Sequence, residues 1–329
     1  MIGILYEHPE WFVPLFAELD RRGLPYVRIP AHELAYDPAA TSSEYDLVVN
    51  RMSPSAYLRD HTRAIFAAQH YLAHLERLGV PVVNGSAAYG LELSKARQLD
   101  LLANLGLPAP ATRVVNDPRQ VERAAAELEL PLIVKPNVGG SGALMRRFDA
   151  LEELREAAAS GALDDVFGID GTALVQEYHP PRDGAIVRVE ALDGDFLYAI
   201  RIQNNPDQGF NLCPADICQP SSLPASESFD VCPVDAPAVP TRKVEAARPP
   251  DWTIQAVLRI GRAAGLDLGG VEYLESERDG RVYFYDINAL SNFVADAVNV
   301  VGFDPFVTLG DFLERRLAAA TSATPARAA

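Results

Sequence analysis

The chain has 329 residues, of which 48% are hydrophobic, as is typical of a globular protein with a substantial core. A formal net charge of −16 argues against a nucleic-acid partner, because neutralising phosphates requires clustered Lys and Arg. The sequence has no apolar run of about 18 residues and no basic N-terminal signal region, so we expect a cytoplasmic protein with no membrane partner.

The cysteines support the same compartment. Cys213, Cys218 and Cys232 are an odd number and lie close together in the chain, unlike a secreted disulfide framework. They could supply three thiolates to zinc, but the spacing has no CxxC pair and no nearby histidine. We favour free thiols in a substrate loop.

Residues 1–85 read as an open α/β domain. Strands are predicted over 1–7, 25–29, 45–50 and 79–84, and helices over 9–22 and 57–78. Arg51 follows the third strand, at the edge of the sheet where ligands usually bind. We therefore expect Arg51 to contact substrate, with a surface arginine as the alternative.

Two further units follow a connecting helix and linker. The helix is predicted over 86–105, and the linker of Gly and Pro residues ends at 110. Residues 111–178 alternate strand, helix, strand, glycine loop, strand, helix and strand, which predicts helices packed on a small antiparallel sheet.

Residues 179–318 begin with a hairpin over 185–203 whose Asp-Gly pair fits its turn. A loop over 204–250, a helix over 253–264, two strands over 270–287 and a helix over 303–318 are expected next. The tail over 319–329 reads as flexible.

The stretch LIVKPNVGGSGALMRRF, residues 132–148, resembles a phosphate lid. Lys135 ends a buried strand, and Gly139, Gly140 and Gly142 allow backbone N–H groups to turn towards an anion, with a hydroxyl from Ser141. The stretch is neither a Walker A loop nor a Rossmann fingerprint, since the glycines precede a second strand. The alternative is a glycine-rich turn with an incidental lysine.

Three oxygen donors form a second signal. If the strands around Asp279-Gly280 pair, then Glu272, Asp286 and Asn288 can share one face. Two carboxylates and an amide suit Mg²⁺. The alternative is a set of solvent-facing acids.

The motifs SKARQLDLLANLGLPAPAT, LIVKP with VGGSG, LVQEY, GGVEYL and FYDIN occur in the order typical of ATP-grasp ligases. The chain most resembles their RimK-type and glutathione-synthetase-like branch, from about residue 1 to 313. The resemblance implies an α/β fold, with an N-terminal open α/β domain followed by two α+β subdomains that sandwich ATP.

The resemblance also implies roles for individual residues. Lys95 and Lys135 would hold the α and β phosphates, and residues 139–142 would close over the β and γ phosphates. The remaining nucleotide and metal contacts would be a hinge of Gln176, Glu177, Tyr178 and His179, a base pocket of Ile133, Leu274 and Tyr285, a ribose contact at Asp183 with Ile186 as a competing position, and Glu272, Asp286 and Asn288 around Mg²⁺, or Mn²⁺ in its place.

The chain departs from the family pattern in three places, one of which is the absence of the proline that commonly follows the asparagine at 288. Asp286 stands where the family usually has glutamate, and the segment after residue 203 keeps only Asn211-Leu212 of a stretch found in RimK-type enzymes. Asn211 is therefore a substrate-binding candidate, but the specificity does not carry over.

The implied reaction joins a small carboxylic acid to an amine, such as an amino acid or peptide, through an acyl phosphate formed from ATP. Arg188 and Arg201, on the predicted hairpin, would stabilise the acyl phosphate or the substrate carboxylate, with surface ion pairs as their alternative role. A kinase that phosphorylates a hydroxyl and a nucleotide-binding regulatory protein remain alternatives. A homo-oligomer is compatible with the sequence.

Overall fold

The computed structural model describes residues 1–140, 142–203 and 243–323, and this part of the chain folds around three β-sheets. The predictions for Ser141, Asn211, the three cysteines and most of the substrate loop lie outside the described residues. Among the described helices, none has the length and apolar character needed to cross a membrane.

The first sheet is parallel, as the opening βαβ pattern predicts. Its strand order is β2-β1-β3-β4. The strands are β1 (Ile2–Tyr6), β2 (Tyr26–Pro30), β3 (Leu47–Arg51) and β4 (Val82–Val83), and the helices are α1 (Val13–Arg22) and α2 (Thr62–Arg77). Because the strands are parallel, their carboxyl ends meet along one edge, where the residues after β3 can face a ligand.

The helix predicted over 57–78 starts later than expected. Residues Pro54–Arg59 form a 3₁₀ turn, and α2 begins at Thr62. Asp60, with φ of 63°, ends the turn in the left-handed region, which interrupts helical geometry. The turn therefore stays at the edge of the sheet, where Ser53 caps it by accepting a hydrogen bond from the Ser55 N–H at 3.1 Å.

The helix predicted over 86–105 is two helices, α3 (Ser86–Glu92) and α4 (Lys95–Asn104). Ser94 separates them in an extended conformation, and its hydroxyl accepts a hydrogen bond from the Arg97 N–H at 3.3 Å as an N-cap. The break places Lys95 at the first turn of α4.

The second sheet is antiparallel, as predicted, with strand order β5-β8-β6-β7. Its strands are β5 (Thr112–Val115), β6 (Leu132–Pro136), β7 (Arg146–Phe148) and β8 (Ala173–Glu177), and its helices are α5 (Val121–Ala125) and α6 (Leu151–Ala159). Apolar side chains of both helices, such as Val121 and Leu154, pack against Val134 and Val175. The helix pair therefore covers one face of the sheet.

The third sheet has the strand order β11-β10-β9-β12-β13. Its strands are β9 (Ala185–Leu192), β10 (Asp195–Gln203), β11 (Val244–Ala246), β12 (Leu268–Glu275) and β13 (Val282–Asn288), and α7 (Asp251–Ala264) packs on it. Asp193 and Gly194 have φ of 57° and 82°, as a two-residue hairpin turn of type I′ requires. β13 is an edge strand.

One core joins the two ends of the chain. Ile2 and Ile4 of the first sheet belong to the same buried cluster as Tyr198 of the third sheet and Phe312. The C-terminal elements are α8 (Ala297–Val301), which was not predicted, and α9 (Pro305–Ala323), which starts later and continues further than predicted. The domain boundaries drawn from the sequence stay predictions.

Candidate active site

One cleft collects residues from the second and third sheets and from the turn that follows β3 of the first sheet. Most of the predicted site residues line it, namely Lys95, Ile133, Lys135, Gly139, Gly140, Gly142, Gln176, Glu177, Tyr178, His179, Arg188, Glu272, Leu274, Tyr285, Asp286 and Asn288. Arg51, Asp183 and Arg201 are not among its lining residues.

Two lysines approach the cleft from different elements. Lys135 is buried on β6, and Lys95 on α4 is half-buried and donates a hydrogen bond to Asp286. Burial disfavours the charge on Lys95, but the carboxylate of Asp286 outweighs it and raises the pKa of Lys95. Burial lowers the pKa of Lys135 to about 7, and the nearby charge of Lys95 adds to the effect. The cleft therefore holds one firmly charged lysine and one that lacks a strong partner.

The low pKa of Lys135 predicts proton uptake when the cleft binds the nucleotide that the sequence motifs imply. Phosphate groups beside Lys135 would raise its pKa again, because they favour the ammonium form. We expect ADP binding near pH 7 to take up protons, and the affinity for ADP to fall as the pH rises above about 7. Calorimetry in buffers of different ionisation enthalpy measures the uptake. Lys135→Met serves as the control, and an unchanged uptake in this variant would assign the proton to another group.

The glycine loop lies against the turn that follows β3. A Cβ on Gly139 would come within 3.3 Å of the Tyr57 hydroxyl, and one on Gly140 within 3.9 Å of Ser55. Gly142 has φ of 70°, which side-chain-bearing residues rarely adopt. Glycine at 139 thus allows the loop to approach Tyr57 closely, and glycine at 142 allows the left-handed backbone conformation there.

The predicted hinge joins β8 to β9. The N–H groups of Glu177 and Tyr178 donate to Ala111 O at 2.9 Å and Pro131 O at 2.8 Å, so these donors are engaged within the protein. His179 is buried, with its Nδ1 3.0 Å from Ser276 Oγ. The contact between the hinge backbone and adenine stays a prediction. It would have to involve hinge groups other than the N–H groups of Glu177 and Tyr178.

The acidic donors stand side by side across the last strand pair. Glu272 on β12 lies directly opposite Asp286 on β13, and Gly270 lies opposite Asn288. Glu272 accepts hydrogen bonds from Arg188 at 3.1 Å and from the Tyr285 hydroxyl at 2.9 Å. Asn288 Nδ2 lies 3.4 Å from Asp286 Oδ2. The three predicted donors therefore lie together in the lining of the cleft.

The environments of the two acids differ. Burial raises the pKa of Glu272, and the guanidinium of Arg188 only partly offsets this effect. Burial also opposes the charge on Asp286, but Lys95 outweighs it and holds the pKa of Asp286 below its usual range. A cation placed between the two carboxylates would favour the charged form of both.

Arg188 is the centre of a buried ion cluster. Its guanidinium donates to Glu190 at 2.6 Å and to Glu272 at 3.1 Å, and all three side chains are buried. Arg201 instead forms a partly exposed pair with Asp183 at 3.3 Å, away from the cleft lining. The catalytic role of Arg201 and the ribose role of Asp183 stay predictions, without support from their placement here.

Removing Arg188 should destabilise the fold. In Arg188→Leu, the buried Glu190 and Glu272 would lose their shared counter-ion, which typically costs about 3–5 kcal/mol of the free energy of unfolding. Urea unfolding measures this loss, and adding Glu190→Gln should restore part of it. A loss below about 1 kcal/mol, as for an exposed ion pair, would contradict the role of Arg188 as a buried counter-ion.

Arg51 lies behind the cleft. Its side chain is 2% exposed, donates to Ser291 O and lies 3.1 Å from Asn292 Oδ1. Burial lowers the pKa of Arg51 to about 10, despite the opposing charges of Glu190 and Glu92. Direct contact between Arg51 and substrate stays a prediction, and the structure gives this side chain a protein partner instead.

Several lining residues escaped the sequence analysis. Ser53 and Ser55 line the cleft with hydroxyls 2.8 Å apart, and Trp11, Glu92 and Asn292 also face it. The Ser-Pro-Ser turn directly after β3 was a readable signal, because residues that follow a parallel strand reach the ligand edge. Burial raises the pKa of Glu92 to about 7. Glu92 carried no such local signal, since it lies in an apolar helical run.

Two curated ligases are similar to part of the chain. A D-alanine–D-alanine ligase of Hydrogenovibrio crunogenus is 32% identical over 136 residues, covering 41% of this chain and 41% of the relative. A probable alpha-L-glutamate ligase 2 of Shewanella frigidimarina is 28% identical over 165 residues, covering 50% of this chain and 51% of the relative. The chain thus spans about half the length of these relatives or less. No family model matches it.

The fold comparison covers nearly the whole chain. The ATP-grasp ligase PsnB, in complex with a minimal precursor, Mg and ADP, superposes with a TM-score of 0.63 at 19% identity, covering 96% of this chain and 97% of PsnB. The likeness confirms the predicted α/β architecture and the type of fold. The chain therefore has the fold of ATP-grasp ligases, and the sequence relatives of its matched part are named as ligases.

Proposed function

We propose that the protein is an ATP-dependent carboxylate–amine ligase. One observation carries the proposal: Lys95 and Lys135 share a cleft with the paired acids Glu272 and Asp286, beside a glycine loop. Two lysines, two metal-compatible acids and a glycine loop suit a triphosphate and its Mg²⁺. The names of the sequence relatives, which are ligases, support the same reaction class.

The acidic donors fit a divalent cation by their chemistry. Four oxygens, two from Glu272 and two from Asp286, each have one protein partner, which are Arg188, Tyr285, Lys95 and Asn288. A carboxylate oxygen has two lone pairs, so each can also bind a cation. No group of three or more His, Cys, Asp or Glu side chains in the described part is placed to hold a metal. The proposed set is instead two carboxylates and the Asn288 amide.

The nucleotide would lie along the cleft from the hinge to the acids. Ile133, Leu274 and Tyr285 would contact the base, Lys95 and Lys135 the α and β phosphates, and residues 139–142 the β and γ phosphates. Mg²⁺, with Mn²⁺ as a substitute, would neutralise phosphate charge beside Glu272, Asp286 and Asn288. The neighbour PsnB, which binds Mg and ADP, supports this choice of cofactors.

The reaction would proceed in two steps. A carboxylate oxygen of the acid attacks the γ phosphorus, the bond to the β-phosphate oxygen breaks, and ADP leaves. The amine nitrogen then attacks the acyl carbon, the bond to the phosphate oxygen breaks, and the amine gives up a proton. Catalysis would come from positioning and charge neutralisation, with Arg188 and the lysines beside the transferred group.

The acid and amine would be small molecules, such as amino acids or peptides. The relatives are named as a D-alanine–D-alanine ligase and a probable alpha-L-glutamate ligase, and PsnB binds a minimal precursor. These names support an amino-acid or peptide acceptor. We propose a cytoplasmic location, and keep a homo-oligomer as an open alternative.

A screen for ADP formation tests the proposal. Candidate amino acids and dipeptides are supplied with and without an amine, and products are identified by mass spectrometry. We expect acid-dependent ADP release and an amide product. A phosphorylated hydroxyl formed without amine would instead show a kinase, and nucleotide binding without turnover would show a regulatory protein.

A further inference from the structure

β13, the strand that carries Asp286 and Asn288, has a strand partner on one side only. It pairs with β12 and lies at the edge of the third sheet. The outward backbone groups of an edge strand need other partners when they are buried. In this protein, the Phe284 N–H donates to the Pro108 carbonyl, and from Ile287 onwards the partners are side chains from residues 51–98.

The side chain of Gln98 on α4 makes the two backbone hydrogen bonds with Ile287 that a neighbouring strand would otherwise make. Its Oε1 accepts from the Ile287 N–H at 3.1 Å, and its Nε2 donates to Ile287 O at 2.9 Å. Gln98 is 2% exposed. Ile287 lies between Asp286 and Asn288, so Gln98 fixes the backbone between two of the proposed metal donors.

The next outward residue, Ala289, is held in the same way. Its N–H donates to the carboxylate of Glu92, and its carbonyl accepts from Asn84 Nδ2 at 2.6 Å. Asn84 also makes two hydrogen bonds with the backbone of Leu268 at the start of β12. Its Nδ2 donates to Leu268 O at 2.6 Å, and its Oδ1 accepts from the Leu268 N–H at 3.1 Å. Asn84 therefore ties the two strands of the proposed metal site together.

Ser291, two residues after Ala289, is held by Arg51, which donates a hydrogen bond to its carbonyl oxygen. The residues that follow, Asn292 and Phe293, line the cleft. Phe293 has φ of 58°, an uncommon conformation for a non-glycine residue, so the surrounding contacts must hold it. The backbone of residues 287, 289 and 291 is thus held by hydrogen bonds from side chains of the N-terminal part of the chain.

We propose that Gln98, Glu92, Asn84 and Arg51 are positioning residues that set the metal donors of β13. None of them needs to touch the metal, because each acts through the backbone of the strand. This inference rests on the proposed metal site at Glu272, Asp286 and Asn288. It implies that the first sheet and the two helices after it act as a frame for that site.

The test compares Gln98→Met with Leu102→Ala. Met keeps the approximate size of Gln98 and removes the hydrogen bonds to Ile287, whereas Leu102→Ala weakens the buried cluster that α4 shares with Phe284 and Ile287 and leaves those hydrogen bonds in place. Mn²⁺ binding to the ADP complex is measured by electron paramagnetic resonance, and ADP binding without metal by calorimetry. We expect about tenfold weaker Mn²⁺ binding in Gln98→Met, as for other residues that orient metal ligands. Metal-free ADP binding should change by less than about twofold. Leu102→Ala should weaken Mn²⁺ binding less than Gln98→Met does, because it keeps the hydrogen bonds to Ile287.

The outcomes separate the two proposals. Mn²⁺ affinity in Gln98→Met equal to that of Leu102→Ala would overturn the positioning role and leave the metal site standing. A wild-type protein whose ADP complex binds no Mn²⁺ would overturn both. If Gln98→Met does not fold, Gln98→Glu, which keeps the acceptor for the Ile287 N–H, is measured in the same way.

Discussion

The protein carrying both Asp286→Asn and Asn288→Ala should stay folded and lose turnover. The double variant removes one charge and one oxygen donor from the proposed metal site. Loss of metal stabilisation of the transferred phosphoryl group is worth several kcal/mol, so we expect ADP formation to fall on the order of a thousandfold or more. The measurement is steady-state ADP release at saturating Mg²⁺.

A matched control separates this effect from the loss of a negative charge anywhere on the same strand pair. Glu275→Gln removes one negative charge from the same strand pair, but Glu275 is partly exposed and pairs with Arg182 at 2.5 Å. This control should retain near wild-type turnover. Near wild-type ADP release in the double variant would remove Asp286 and Asn288 from the metal site.

The second large effect concerns Lys135. Lys135→Met removes a buried ammonium group and keeps an unbranched side chain of similar length. A charge-assisted hydrogen bond to phosphate is worth about 1.5–3 kcal/mol, so we expect ADP binding to weaken roughly 10- to 100-fold. Binding of the acid substrate should weaken less.

Calorimetry measures both affinities, and thermal unfolding checks the fold. Because replacing a buried charge by an apolar group is often neutral or stabilising, the variant should unfold no earlier than the wild type. Equal losses of ADP and acid affinity, together with earlier unfolding, would point to a disturbed β6 strand instead of a lost phosphate contact.

The sequence predicted the elements whose signals are local. Asp193-Gly194 fits a type I′ turn by its residue types, and the structure has positive φ at both positions. The motif residues around Lys135, Glu272 and Asp286 also meet in one cleft, since each lies on or beside a strand that is recognisable by itself. The break at Ser94 was missed because Ser94 lies inside a long helical pattern and acts as a cap only through the extended backbone there.

The roles of buried polar residues could not be predicted from the sequence. Arg51 looked like a ligand contact, yet it binds Ser291, whose position 240 residues further along the chain gives no local signal. Gln98 and Asn84 likewise bond backbone groups of residues more than 180 positions away. Such partners are set by how the sheets pack, which periodicity within one segment does not encode.

The most direct test of the ligase proposal follows an oxygen atom. The acid substrate found by the screen is labelled with heavy oxygen in its carboxylate, and the released phosphate is analysed by mass spectrometry after amide formation. If ATP phosphorylates the carboxylate, one labelled oxygen passes to the phosphate when the amine displaces it. We predict labelled phosphate in equal amount to the amide product, and unlabelled phosphate would contradict the acyl-phosphate route.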